Sequence, residues 1–242
     1  MGQAQAVAGQ TGVRCFVSHK CKTPEGEDYP HHAFIERLRH VFQGLGIEVV
    51  RDPFGPGQDV GVRIETVPYD TFLFLSCEET WESPPCRHEL ADAQRRGVPI
   101  FLVRWSGQVP EEHCKRIYVD WAGGNVTDGV LQGLAAEIAV RGRLRQAIDA
   151  IARPGVSADE QRGLAAQVYD EKDHTAVAEF LAHLEAAWSG ISDATARYWI
   201  ALAVGETGDS RAGDILRRWR VKETHPLVKH GIREALDDRT DH

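Results

Sequence analysis

No apolar run in this 242-residue chain approaches the length of a bilayer-spanning helix, so no transmembrane segment is expected. A basic surplus is missing as well. Lys and Arg number 16 against 19 Asp and Glu in residues 1–145, and 12 against 17 in residues 146–242. With a net charge of −8 and neither half basic, there is no electrostatic footprint for a phosphate backbone, and nucleic acid is not an expected partner. The cysteines, at 15, 21, 77, 86 and 114, are odd in number and lack CxxC spacing. That argues against a disulfide framework or a structural zinc site and for reduced thiols in a cytoplasm. His31 and His32 have no partner at ligand spacing, so no metal is expected. Met1 to Gly12 has neither a basic start nor an apolar core, and reads as a disordered leader, not a secretory signal.

What is present alternates between two periods. Val13–Ser18 is a short β-branched and aromatic run, expected as the first strand. From Tyr29 to Leu45, Phe34, Leu38, Val41, Phe42 and Leu45 recur at helical spacing, and Gly44 and Gly46 end the helix. Ile47–Asp52 is the second strand. The Pro53–Asp59 segment breaks it into a loop, and a short helix with Ile64 and Val67 on its apolar side follows. Thr71–Leu75 is apolar at nearly every position, which marks a third strand covered on both faces. A helix over Pro85–Arg96, a fourth strand over Val98–Trp105 and a fifth over Arg116–Trp121 come next. A helix over Asp128–Val140, with Val130, Leu131, Leu134 and Ile138 as its buried stripe, closes the unit.

Strands alternating with helices in this way give an α/β fold with a parallel, doubly wound sheet. In such sheets ligands bind beyond the carboxyl ends of the strands, where the strand order reverses. With the order 2-1-3-4-5 that crevice lies between the first and third strands, and Ser18, Ser76 and the helix carrying Glu89 converge on it.

Beyond residue 142 only helical periodicity remains. An offset of 32 pairs Ala196 with Val228, Arg197 with Lys229, Ile200 with Ile232 and Ala203 with Ala235. A weaker echo pairs Thr175–Leu181 with Ser210–Leu216. Helix pairs at this period stack as a solenoid, so a small all-α repeat region is expected over 143–242. The boundary is expected between Gly142 and Gly155. Trp199 and Trp219 fall on helical stripes and are expected in the repeat core, and Arg217, Arg218, Arg220 and Lys222 on a solvated face.

Five blocks together resemble the TIR (Toll/interleukin-1 receptor) domain family. They are Cys15-Phe-Val-Ser-His19, Gly46-Ile-Glu-Val-Val-Arg-Asp52, the Gly57-containing loop, Thr71-Phe-Leu-Phe-Leu-Ser76 and Ser83-x-x-Cys86-x-x-Glu89-Leu90. The resemblance spans about residues 13–140, giving a TIR-like region over 13–142 after the leader at 1–12. The region 143–242 resembles HEAT-type repeats. The family implies a flavodoxin-like sheet of order 2-1-3-4-5. In bacterial, plant and axonal members it also implies hydrolysis of the nicotinamide–ribose bond of NAD+, here as substrate with no cofactor. The family's glutamate falls on Glu89, and Ser18, His19 and Lys20 match the strand end that lines the pocket. The loop Pro53–Gly61 corresponds to the segment that closes over nucleotide or docks on a neighbouring domain, where Phe54 is a candidate contact. Many members place Trp immediately before the Cys of the last block. Here that residue is Pro85, and the nearby aromatic is Trp81.

The residue types alone leave two roles open for Glu89. A carboxylate early in a helix is favoured by the helix dipole. A carboxylate beneath a ribose also stabilises the oxocarbenium-like sugar formed when an N-glycosidic bond breaks. Three functions follow from the resemblance: a cytoplasmic NAD+ glycohydrolase of antiphage or stress defence activated by self-association, a related enzyme releasing cyclic ADP-ribose, and a TIR adaptor docking through Pro53–Gly61. The repeats are a candidate surface for a protein partner or sensor.

Overall fold

The computed structural model describes residues 12–19, 31–50, 66–120 and 126–237. Lys20, Asp52, Phe54, the Pro53–Gly61 loop and the short helix expected before Val67 lie outside these residues. The chain divides into two compact units after Gly142, each taken by itself below.

The first unit is a five-stranded, all-parallel sheet of order β2-β1-β3-β4-β5, built from β1 (Val13–Ser18), β2 (Ile47–Val50), β3 (Thr71–Ser76), β4 (Ile100–Arg104) and β5 (Ile117–Asp120). Its helices are α1 (His31–Gly44), α2 (Glu78–Glu82), α3 (Pro84–Arg96) and α4 (Asp128–Ile151), with a 3-10 segment over Glu111–Arg116 before β5. Every residue of β3 is buried, as its unbroken apolar run requires of a central strand.

The alternation of side chains sorts β1 and β3 into two faces. Cys15, Val17, Leu73 and Leu75 join Phe34, Leu38, Leu134 and Ile138 in one core. Phe16, Phe72 and Phe74 join Cys86, Leu90 and Ala93 of α3 in the other. By the same parity Ser18 and Ser76, the last residues of their strands, face α3.

Gly46, at φ +70°, turns the chain from α1 into β2 in a conformation that favours glycine. Several expected positions are corrected. Leu45 lies past the end of α1 and is exposed. Val130, in the first turn of α4, is exposed too, while Leu131, Leu134 and Ile138 are buried. The fourth strand starts at Ile100, not Val98. The helix expected to stop at Val140 continues to Ile151. Gly142 does not break it but gives Val13 room, since a Cβ there would collide with the valine methyls.

The second unit is helical. It begins with the last residues of α4 and continues through α5 (Ala158–Tyr169), α6 (His174–Glu179), α7 (Leu181–Ala187), α8 (Ala194–Glu206), α9 (Ser210–Lys222) and α10 (Pro226–Asp237). Helix α8 packs between α5 and α10, while α9 packs on α7, α8 and α10. Ser157, Asp173, Asp193 and Asp209 each accept backbone N–H groups of the helix they precede, and Ser157 with Glu160 forms a capping box.

A repeated staple accompanies the sequence offset. Gln161, fourth residue of α5, accepts the N–H groups of Ser192 and Asp193 just before α8. Arg197, fourth residue of α8, holds Glu223, which accepts the N–H groups of Thr224 and His225 just before α10. Trp219 is buried and stacks on Trp188 at 3.8 Å. Trp199 is only half-buried and does not belong to the core as expected.

Candidate active site

Helix α3 begins where a helix tolerates proline best. Ser83 is the N-cap, and Pro84 and Pro85 occupy the first two helical positions, whose N–H groups would have no partner in the helix anyway. Both prolines are exposed. Cys86, Glu89, Leu90 and Ala93 then recur at three- and four-residue intervals as the face turned to the sheet, and all are buried. Glu89 is the sixth residue of the helix, beyond the first turn where the dipole favours an anion. Its place is instead explained by a partner. The Ser18 hydroxyl donates to Glu89 Oε2 at 2.6 Å, with Glu89 5% and Ser18 1% exposed. A carboxylate is thus held against the carboxyl end of β1, on the α3 face of the sheet.

The neighbouring strand end has its own pair. Ser76 closes β3 and accepts from Trp81 Nε1 at 2.7 Å. The indole of Trp81 is half-buried, tilted against Phe74 with ring centres 4.7 Å apart and stacked with His113 at 5.0 Å. Trp81 is therefore engaged on the fold side by three residues. Cys77 and Thr80 of the same turn share a hydrogen bond of 2.7 Å, and burial raises the Cys77 thiol above its ordinary range. His19, just past β1, is half-exposed, with Nδ1 3.4 Å from the Val17 carbonyl.

One turn further along α3 lies a second buried carboxylate that the sequence did not single out. Asp92 accepts from the Tyr69 hydroxyl at 2.8 Å and pairs with Arg96 at 2.8 Å and with Arg95. Arg96 also lies over the Tyr69 ring at 4.8 Å and donates to the Val67 carbonyl at 3.0 Å. Burial, then the hydrogen bond to Asp92, drives the Tyr69 phenol well above its usual range, so it stays a donor at any physiological pH. The cluster fixes α3 to the chain leading into β3. Its only trace in the sequence is the i, i+4 spacing of Asp92 and Arg96, which is equally common on exposed helix faces.

The structure thus places Ser18 and Glu89 in direct contact and Ser76 with Trp81, at the ends of adjacent strands. Lys20 and Phe54 are not among the described residues. No group of three or more metal-ligating side chains occurs among the described residues. A cleft of about 580 Å³ lined by Gly12, Arg39, Gln43, Ile47 and Glu48 lies at the amino ends of β1 and β2, the opposite end of the sheet. It contains none of the residues singled out above.

A carboxylate at this position can stabilise positive charge developing on a bound sugar or attack it. Against family models, curated proteins and solved structures, the chain finds no match.

Proposed function

We propose that the chain is a TIR-type NAD+ glycohydrolase in which Glu89 supports cleavage of the nicotinamide–ribose bond. The observation that carries this proposal is the buried Ser18–Glu89 pair at the carboxyl end of a parallel 2-1-3-4-5 sheet. Such a sheet binds ligands at this edge, between β1 and β3. In the reaction the glycosidic electron pair passes to the pyridinium nitrogen, so nicotinamide departs neutral and needs no strong general acid. Positive charge gathers on the ribose, and a carboxylate beneath it stabilises that charge. Water then adds at the anomeric carbon and loses a proton. The Ser18 hydroxyl acts as a positioning group that fixes the direction of the carboxylate.

One observation favours a second function, a TIR-type interaction module without turnover. Trp81, the aromatic nearest Pro85, is packed by Phe74, Ser76 and His113. A packed indole offers less surface for stacking against a base or nicotinamide.

Nicotinamide release from NAD+ separates the two, followed over a concentration series of the intact chain with Glu89→Gln alongside. Turnover that rises with protein concentration and disappears in Glu89→Gln is the expected result. Turnover unchanged in Glu89→Gln removes Glu89 from the chemistry. Silence at every concentration, with self-association intact, favours the interaction module. Mass spectrometry of the product distinguishes linear from cyclic ADP-ribose.

A further inference from the structure

We propose that Tyr69 and Asp70 form a bracket that sets Glu89 against Ser18, making them positioning residues for a site that neither of them touches. The role in turnover rests on the reading of Glu89 given above; the bracket itself does not. The two residues are neighbours in the chain just before β3, and each holds a different element. Asp70 holds β1: the Arg14 N–H donates to Asp70 Oδ2 at 2.7 Å, and the Asp70 N–H donates to the Arg14 carbonyl at 2.8 Å. Tyr69 holds α3: its hydroxyl donates to Asp92 at 2.8 Å, and Arg96 lies over its ring while reaching the Val67 carbonyl.

These attachments close a circuit with the candidate site. Strand β1 runs from Arg14 to Ser18, and the Ser18 hydroxyl donates to Glu89. Helix α3 runs from Glu89 to Asp92, a rise of about 4.5 Å, and Asp92 leads back through Tyr69 and Asp70 to Arg14. The sides of the circuit are stiff. Strand β1 is paired on both edges, with β2 and with β3. The ring of Phe16 sits 5.4 Å from Tyr69 and is stacked 5.7 Å from Phe72. Burial, Asp92 and, more weakly, Glu89 all raise the Tyr69 phenol, so the charge of Glu89 reaches the bracket.

A positioning role follows from the kind of contacts α3 makes. Cys86, Leu90 and Ala93 meet the sheet through apolar packing, which is non-directional and tolerates small shifts along the helix axis. The Ser18–Glu89 bond alone leaves α3 able to pivot about one point. The Tyr69–Asp92 bond supplies a second directional attachment one turn away and fixes the axial position of Glu89. Buried charge pairs such as Asp92–Arg96 contribute little net stability, and directional bonding is what they offer instead. A displacement of about 1 Å at a reacting group costs up to roughly 10²-fold in rate, so the bracket matters even where the fold survives its loss.

The test uses Tyr69→Phe and Asp70→Ala, which open the circuit at different points and leave Ser18 and Glu89 in place. Phenylalanine keeps the ring that Phe16 and Arg96 pack against. In each background the coupling between Ser18→Ala and Glu89→Ala is measured by urea unfolding of the intact chain, and it should fall by about half or more. In the otherwise unaltered Glu89 chain, kcat for nicotinamide release should fall roughly tenfold while KM stays within about twofold. Leu131→Val, in the core on the other face of the sheet, should lower stability and leave both the coupling and kcat as they are. The bracket is overturned if the parent chain shows no coupling, if either variant retains the coupling in full, or if Leu131→Val weakens it as much. A coupling that falls in a chain releasing no nicotinamide keeps the bracket and removes the proposed reaction. Nicotinamide release with the coupling intact in Tyr69→Phe does the reverse.

Discussion

The Ser18–Glu89 contact makes a quantitative prediction that needs no substrate. Ser18→Ala removes the donor and leaves a carboxylate oxygen in a buried site without that partner. A buried hydrogen bond to a charged group contributes roughly 1.5–3 kcal/mol, and Glu89 has further interactions that soften the loss, so about 1.5 kcal/mol is expected. Glu89→Ala removes the acceptor, strands the Ser18 hydroxyl and opens space beneath the sheet, at a cost of about 2–4 kcal/mol. In the double variant the stranded partners no longer exist. Its loss should therefore fall short of the sum of the two single losses by about 1–2 kcal/mol. Urea unfolding of the intact chain measures this, with the transition of the first unit followed by hydrogen exchange of peptides covering β1, β3 and α3. With a slope of about 2 kcal/mol/M, Ser18→Ala lowers the midpoint by somewhat under ~1 M. Additivity within ~0.5 kcal/mol would refute the pairing, because residues that share no interaction add.

Three further outcomes are expected. Gly205→Ala on α8 would put its Cβ 2.6 Å from Ala235 Cβ and 3.0 Å from the α10 backbone, so the second unit should lose about 1–3 kcal/mol, more than the helix propensity of alanine returns, measured by thermal unfolding. His183 accepts from Arg145 Nη1 at 2.6 Å, and burial, then the Arg145 charge, holds its imidazole below the ordinary 6.5. Because the unfolded chain takes up a proton before the folded one does, this contribution is complete above about pH 6.5 and is lost as pH falls below it; His183→Gln should flatten the loss in a pH series of unfolding midpoints. Among the described cysteines, alkylation mapped by mass spectrometry should find Cys114 modified first, since it is exposed, and Cys15 protected, since burial raises its thiol to about 12.

Much of the fold was legible because strand and helix periods differ so sharply. The run Phe72–Leu75 has no polar interruption, which marked β3 as a strand covered on both faces. The strand order is what directed Ser18, Ser76 and the helix carrying Glu89 to one crevice; in the structure Ser18 meets Glu89 while Ser76 pairs with Trp81. Other features depend on rotations and distances that a linear pattern does not carry. The Asp92–Tyr69–Arg96 cluster requires knowing how α3 is turned relative to the segment before β3. Val130 is hydrophobic and only one turn before buried Leu134, yet in the first turn of α4 it is exposed. Gly142 looks like a stop signal until Val13 is seen to occupy the space it leaves. Trp199 shares a helical stripe with residues of the array, but which helices flank α8 decides whether a stripe faces inward.

The placement of Ser18 has a consequence for any molecule that engages Glu89. The Oε2 atom already has an intramolecular donor, so a ligand hydroxyl directed at that oxygen competes with a residue of the protein. Its measured affinity is a difference between two hydrogen bonds, not the value of one. Removing the serine hydroxyl should then move stability and ligand affinity in opposite directions, weakening the fold while freeing the oxygen. A single side chain would set the exchange rate between holding the sheet together and receiving a guest.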